Sequence, residues 1–324
     1  MHKRIITRIS NEIGNQLFMY ASSYAIAKKI NRILYIDNES AFRTSKNISI
    51  YGLDNFNITS KIAAKDYKFL GLSGYLKRKI LKKINFLKNK KAFYIEKKDK
   101  SKITRYTNEI YNLDFSDNLF LEGYFETEKY FNDIKDEILS EFSFKDTNKY
   151  LKSIFYPKLI QKNSVSICLR QNRFLEGKNK EKNSNNHFKS EKFNLEQITY
   201  INKAIDFLNS KLNSPNFFLW SNNTKNIDKS QFNAKIEIID HETNFLRNID
   251  RRALDLFLIS QCNHHIVIPS SFNWWGAWLG HKKNKIVLRP SESFFSSHKI
   301  NNKDYWPKSW IKIEEDNKFV KDKK

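Results

Sequence analysis

Arg170, Ser270 and Ser271 are the residues whose types and settings most suggest chemistry. Arg170 follows Val165–Leu169, a five-residue apolar run that reads as a buried strand. Ligands of parallel α/β sheets bind at the carboxyl ends of strands. A guanidinium there can grip a diphosphate through two parallel hydrogen bonds, or form an ordinary surface ion pair. Ser270 and Ser271 stand between an apolar run and the segment Phe272–Leu279, which reads as a helix. Two hydroxyls and free N–H groups at a positive helix end make an anion site, or a simple N-cap. A third cluster, Gly14–Asn15–Gln16, lies in a turn between a strand and a helix. Its two carboxamides can donate and accept hydrogen bonds toward a sugar, or complete an ordinary tight turn.

Several chemistries are excluded by what accompanies these residues. A dinucleotide fingerprint needs three glycines where this turn has one, although Asp37 ends the next strand where a ribose-binding acid would stand. There is no D-x-D metal motif, no Walker loop and no nucleophile elbow. His264 and His265 are adjacent, and neighbours on a strand point to opposite faces, so no metal site is expected. Any leaving diphosphate must then be neutralised by cationic side chains and helix dipoles.

The elements that must hold these groups form a repeating β-α-β pattern. Ile5–Ile9 and Ile33–Ile36 read as strands around a helix with Leu17, Ala21, Tyr24, Ala25 and Lys28 at helical spacing. Asn118–Tyr124 is strand-like and Glu126–Phe142 reads as a helix. In the second half, strands are expected at Val165–Leu169, Phe217–Trp220, Ile236–Ile239, His265–Ile268 and Lys285–Leu288. Helices are expected at Leu195–Leu212, Arg251–Cys262 and Phe272–Leu279, and the polar stretch 171–194 reads as a mobile loop. The pattern predicts an α/β protein of two Rossmann-like domains, 1–155 and 156–324, with the binding site in the cleft between them.

The 324 residues carry a net charge of +23, which suits nucleic acid, an anionic membrane surface or a phosphorylated substrate. No nucleic-acid-binding motif accompanies the charge, so nucleic acid is not expected as a partner. Between Lys77 and Lys102, twelve Lys or Arg residues face only Glu96 and Asp99. Leu76, Ile80, Ile84 and Leu87 recur there every three or four residues, which predicts a basic amphipathic helix within an insertion at about 61–102. That helix is either a membrane-docking element or a solvated face. The two cysteines, Cys168 and Cys262, lie in apolar runs and read as buried thiols. With no apolar leader after Met1 and no run of about 18 apolar residues, a cytoplasmic protein is expected, with peripheral contact at the inner face of the membrane.

Six stretches together resemble glycosyltransferase family 11, the α-1,2-fucosyltransferases. They are IGNQLFMYASSYAIAKKI, EGYFETEKYFNDIKDEI, VSICLR, FFLWSNN, DLFLISQCNHHIVIPSSFNWWGAWLG and DYWPKSWIKI, in family order from about residue 5 to 313. SSFxWWGAWL is the most specific of them. The resemblance implies a GT-B-like fold whose two domains face each other across a cleft, with the first on the acceptor side. It implies a GDP-fucose donor bound by the second domain, no cofactor and no metal. The reaction implied is inverting transfer of fucose to the 2-hydroxyl of a terminal galactose or related sugar, in surface polysaccharide biosynthesis, with an acceptor that can be lipid-linked. Carried over by position, Arg170 and Ser271 would grip the β-phosphate, with Ser270, Phe272 and Cys168 on the donor side. Asp255 would orient the guanine or Arg170, Asn15 would face the fucose, and Gln16 and Trp275 would line the acceptor cleft. Glu12, in the same turn as Asn15, is the first candidate base, and Glu176 the second.

Two motifs depart from the family pattern. H-x-R-R-G-D reads Cys168–Leu169–Arg170–Gln171–Asn172–Arg173, so a histidine, the second arginine and the acid are replaced. F-S-D-D reads Trp220–Ser221–Asn222–Asn223. These changes keep two alternatives open: a transferase of the same fold with another nucleotide sugar, and a homologue that binds nucleotide sugar or glycan without turnover.

Overall fold

The computed structural model describes residues 2–42, 49–99, 103–175, 184–296, 301–315 and 319–320. The chain forms two units, 1–145 with 303–305, and 146–302 with 306–324. The break therefore falls before the expected boundary at 155, and a short C-terminal piece returns to the first unit.

The first unit carries strands β1 (Arg4–Arg8), β2 (Ile33–Asp37), β3 (Lys61–Ile62), β4 (Lys91–Ile95) and β5 (Phe115–Glu122), with helices α1 (Ile13–Lys29), α2 (Gly71–Ile84) and α3 (Lys135–Glu141). The sheet order is β3-β2-β1-β5-β4, all parallel. Helix α1 is buried almost all round. Its small residues let it lie close to β1, where the Ser23 hydroxyl donates to Thr7 Oγ1 at 2.9 Å. Asp37 is consumed by its own turn, accepting the backbone N–H groups of Glu39 and Ser40 at 3.1 and 2.9 Å.

Two expectations in this unit are corrected. The insertion at 61–102 is not purely helical, because β3 and β4 come from it and extend the sheet at both edges. The helix expected over 126–142 is shorter: two 3₁₀ turns, Glu128–Tyr130 and Asn132–Ile134, precede α3. The Thr127 hydroxyl caps the first of them by accepting from the Lys129 N–H, and Phe131 breaks the helical run with φ −129°.

The second unit opens with α4 (Thr147–Tyr150) and α5 (Tyr156–Leu159). Then come β6 (Ser164–Leu169), α6 (Ser184–Lys211), β7 (Asn216–Ser221), β8 (Ile236–Ile238), α7 (Arg251–Gln261), β9 (His264–Ile266), α8 (Ser271–Leu279), β10 (Val287–Pro290), β11 (Ile311–Ile313) and β12 (Phe319–Val320). The order is β12-β11-β10-β9-β6-β7-β8, parallel except for β12. All six residues of β6 are buried, as expected of a central parallel strand covered on both faces. The expected loop over 171–194 is corrected in its second half, since α6 already begins at Ser184. Glu176 lies outside the described residues. No helix among the described residues is long and apolar enough to cross a membrane.

Candidate active site

In the second unit, β6 and β9 are neighbours, with Ile167 opposite Ile266. Arg170 and the Ser270–Ser271 turn therefore leave the sheet at the same carboxyl edge, on adjacent strands. Two carboxamides fix the chain just past β6. The Arg170 N–H donates to Gln197 Oε1 at 3.0 Å, and Gln197 Nε2 donates back to the Arg170 carbonyl at 2.9 Å. Asn222 treats the next residue the same way, accepting from the Gln171 N–H at 2.8 Å and donating to its carbonyl at 3.0 Å. Both grips need a side chain that donates and accepts, as carboxamides do and carboxylates do not.

Gln197 was not anticipated as a site residue. The available signal is a fully buried glutamine in a helical row that also holds Phe193, Ile201, Ala204 and Leu208. A buried polar side chain in such a row needs partners, and here they are the backbone of Arg170.

Helix α8 is buried from Asn273 to Leu279, whereas Ser270, Ser271 and Phe272 stand half-buried at its start. Ser270 occupies the N-cap position without capping the helix through its side chain. The turn is held instead by Asn273, whose Oδ1 accepts from the Ile268 N–H at 2.7 Å. The positive end of α8 thus lies at the carboxyl edge of the sheet, where helix starts favour anions. Gly276 lets α8 press on α7, since a Cβ there would meet Ile259 Cγ2 at 2.4 Å.

Two expected donor or acceptor residues are placed differently. Trp275 is fully buried and packs edge-on against Trp274 and Trp278, so it belongs to the core and lines no acceptor surface. Cys168 is a buried free thiol on β6, pushed up by burial and then by the Asp255 charge, and its place is the core. Asp255 faces His241 and Arg251, with His241 Nε2 3.7 Å from Oδ1 and Arg251 Nε 3.4 Å from Oδ2. His264 and His265 alternate as expected. His264 Nδ1 accepts from the Ile286 N–H, His265 Nδ1 meets the Ser166 hydroxyl at 2.7 Å, and burial lowers both rings below the ordinary histidine range. Among the described residues no group of three or more His, Cys, Asp or Glu is placed to hold a metal ion.

In the first unit, Gln16 is corrected from ligand contact to structural anchor. It is fully buried, donates to the carbonyls of Asn11 and Ile50 at 2.6 and 2.9 Å, and accepts from the Gly52 N–H at 2.8 Å. Asn15 is half-buried in the first turn of α1 and donates to Glu126 Oε1 at 2.9 Å. Glu12 is exposed at the N-cap position of α1, and its carboxylate accepts from the Ser49 hydroxyl at 2.9 Å. The carboxylate beside Asn15 is thus Glu126. Its signal was the stretch EGYFETEKY, which holds an acid within a strand-to-turn transition.

The carboxyl edge of the first sheet also holds a cavity of about 230 Å³, lined by residues that include Arg8, Ser10, Glu96, Glu122 and Tyr124. Burial would raise the Glu122 carboxyl, but hydrogen bonds from Arg78 and Lys82 overcome it and hold the group below the ordinary carboxylate range. Burial does raise Glu96, whose Oε2 accepts the N–H groups of Tyr124 and Phe125 at 2.8 and 3.0 Å. Gly123 lies against this acid, and a Cβ there would meet Glu96 Cβ at 2.3 Å.

Comparison with known proteins adds to this geometry. Residues 3–314 match the family described as glycosyl transferase family 11. The chain is 25% identical over 314 residues to an alpha-1,2-colitosyltransferase of Escherichia coli, covering 96% of this chain and 99% of that one. It is 24% identical over 304 residues to the O-antigen biosynthesis glycosyltransferase WbnK of Escherichia coli, covering 90% and 95%. Among solved structures, NodZ α-1,6-fucosyltransferase co-crystallised with GDP superposes with a TM-score of 0.50 at 13% identity, over 85% of this chain and 92% of that one. That likeness concerns the fold, which is GT-B-like with two Rossmann-like units.

Proposed function

Because the chain belongs to glycosyltransferase family 11, we propose that it is an inverting, metal-independent transferase that moves L-fucose from GDP-fucose to the 2-hydroxyl of a terminal galactose or related sugar in a surface polysaccharide. The observation that carries this reading is the placing of Arg170 and the half-buried start of α8 on adjacent strand ends. The second unit takes the donor, and the first unit takes the acceptor.

In the proposed reaction the acceptor oxygen attacks the anomeric carbon opposite the nucleotide. The bond from that carbon to the β-phosphate oxygen breaks, its electron pair leaves with GDP, and the acceptor proton passes to a base. Negative charge grows on the β-phosphate, where the Arg170 guanidinium and the α8 N–H groups meet it. Gln197 and Asn222 act through Arg170 and Gln171 by fixing their backbone. Glu126, rather than Glu12, is the proposed proton acceptor, because it is held beside Asn15 in the turn that would face the sugar. The metal is dispensable in this scheme because cation and helix end already supply the neutralising charge.

A second reading concerns the donor sugar. The relative named as an alpha-1,2-colitosyltransferase favours colitose in place of fucose as the transferred sugar. Release of the nucleoside diphosphate (GDP or UDP) from GDP-fucose, GDP-colitose, GDP-mannose and UDP-galactose, each against terminal-galactose and terminal-N-acetylgalactosamine acceptors, tests the proposal. Turnover restricted to GDP-fucose with a galactose acceptor is expected. Turnover with GDP-colitose alone replaces the donor, and tight GDP binding without turnover on any acceptor overturns the catalytic reading.

A further inference from the structure

Helix α2 and the turn after it, Asn85–Leu87, leave more apolar surface exposed than an ordinary surface helix does. A helix packed on a sheet buries its apolar stripe and shows its charges to water. Here no residue of α2 is buried. Leu72, Ile80, Phe86 and Leu87 are 75%, 59%, 73% and 70% exposed, and Tyr75 and Leu76 are exposed with them. Leu72, Leu76 and Ile80 follow one another at four-residue spacing, which places them on one face. The face turned toward the protein is mixed, with Leu81 and Ile84 half-buried beside Arg78 and Lys82. Arg78 makes a two-pronged ion pair with Glu122 at 2.6 Å, Lys82 joins it at 2.9 Å, and Asn85 grips β4 through Ala92, Phe93 and the Phe93 carbonyl. Lys77, Lys79, Lys83, Lys88 and Lys90 are exposed and flank the apolar stripe.

We propose that this outward face of α2 and its following turn is a docking surface for an anionic phospholipid bilayer. Leucine, isoleucine and phenylalanine side chains ringed by lysines match the two layers of a membrane surface, acyl chains beneath and phosphates above. Other occupants fit less well. A nucleic-acid backbone would satisfy the lysines but leave the apolar stripe against water or phosphate. A second copy joined by a two-fold axis sets the same patch against itself, so the lysines would repel. The inference is independent of donor and acceptor identity. It also explains why the stripe is tolerated on the surface at all, since an exposed apolar patch of this kind usually marks an interaction site.

The test is co-sedimentation of the full chain with vesicles of neutral phosphatidylcholine and with vesicles containing phosphatidylglycerol, at low and raised salt. Binding is expected to the anionic vesicles, weaker with salt, and negligible to the neutral ones. The variant Leu76→Ser/Ile80→Ser/Phe86→Ser keeps every charge and removes only exposed side chains. It is expected to lose most of the binding while retaining its melting behaviour and its turnover of a water-soluble acceptor. Lys77→Gln/Lys79→Gln/Lys83→Gln is expected to weaken binding by about 100-fold, at roughly five-fold per lysine. Wild-type-like binding by the apolar variant would reduce the attraction to net charge and overturn the proposal. Failure of the wild-type chain to bind, or a dimer in sedimentation that the apolar variant abolishes, would overturn it as well.

Discussion

The carboxyl edges of the two sheets are built from the same β-α-β units and present opposite chemistry. In the second unit the groups past β6 and β9 are a guanidinium, two hydroxyls and the positive end of a helix. The one expected acid there, Asp255, already faces Arg251 and His241. In the first unit the groups at and past the ends of β4 and β5 include Glu96, Glu122 and Glu126, each fixed by a hydrogen-bond donor, and the cations Arg78 and Lys82 are already paired with Glu122. An edge rich in positive potential suits a nucleoside diphosphate. An edge of positioned carboxylates and carboxamides suits a hydroxylated sugar and the removal of its proton. The sheet supplies only the common edge; the residues that follow each strand decide which ligand it serves.

The strongest way to break this contrast is to remove one group from each edge. Arg170→Ala is expected to lower kcat by about 10²–10³, the usual effect of losing a donor to developing negative charge, with an unchanged melting temperature. Glu126→Gln is expected to lower kcat by roughly 10², while Glu12→Gln stays close to wild type. Single-turnover GDP release measures all three. The pH–rate profile separates the roles, because only Glu126→Gln should lose the acidic limb. If Arg170→Ala turns over normally, the donor edge is misassigned; if Glu12→Gln fails and Glu126→Gln does not, the base is.

A smaller effect sharpens the donor edge. Asn222→Asp can still accept from the Gln171 N–H but can no longer donate to its carbonyl. One lost hydrogen bond of this kind is expected to cost about ten-fold in kcat, through Arg170 rather than through direct contact. The readout that marks positioning is non-additivity: Asn222→Asp should cost little more once Arg170 is already alanine. Independent losses would place Asn222 in a separate role.

How legible these parts were in the sequence depends on the range of the interactions that make them. Strands β1, β2, β6 and β7 and helix α8 were readable because each is a continuous apolar or helically spaced run. Strand β4 was hidden, since its short apolar run Ala92–Ile95 lies inside a lysine-rich stretch that reads as one helix, and its place is fixed by pairing with β5. The first turns of α6 were hidden for the opposite reason. Ser184–Asn194 is polar enough to read as loop, and nothing local shows that Phe193 is buried there. Arg170 and Ser271 were found because strand ends and helix starts carry a general expectation. The grips of Gln197 and Asn222 on the backbone were not, because they join residues 27 and 51 positions apart. Gln16 and Trp275 misled in the same way. Polar and aromatic residues inside a conspicuous motif look like ligand contacts, yet both are fully buried and hold the scaffold.

The weakest expected effect separates two acids on the first edge. Burial raises Glu96 above its ordinary value of 4.5, so the folded chain holds this proton more tightly than the unfolded chain does. Its contribution to stability is therefore full at low pH and is lost as pH rises from 4.5 through the raised value. Glu122, held low by Arg78 and Lys82 against burial, has the reverse sign: its contribution is full above 4.5 and is lost as pH falls through the lowered value. Glu96→Gln keeps an oxygen to accept the Tyr124 and Phe125 N–H groups but has nothing to ionise. Relative to wild type, its melting temperature should rise as pH passes from 4.5 through the raised value and level off above it, while below 4.5 the two proteins should lose stability in parallel because both retain Glu122. A difference that stays constant from below pH 4.5 upward would mean that the Tyr124 and Phe125 hydrogen bonds fully offset the burial of Glu96, and that the two acids differ only in their partners.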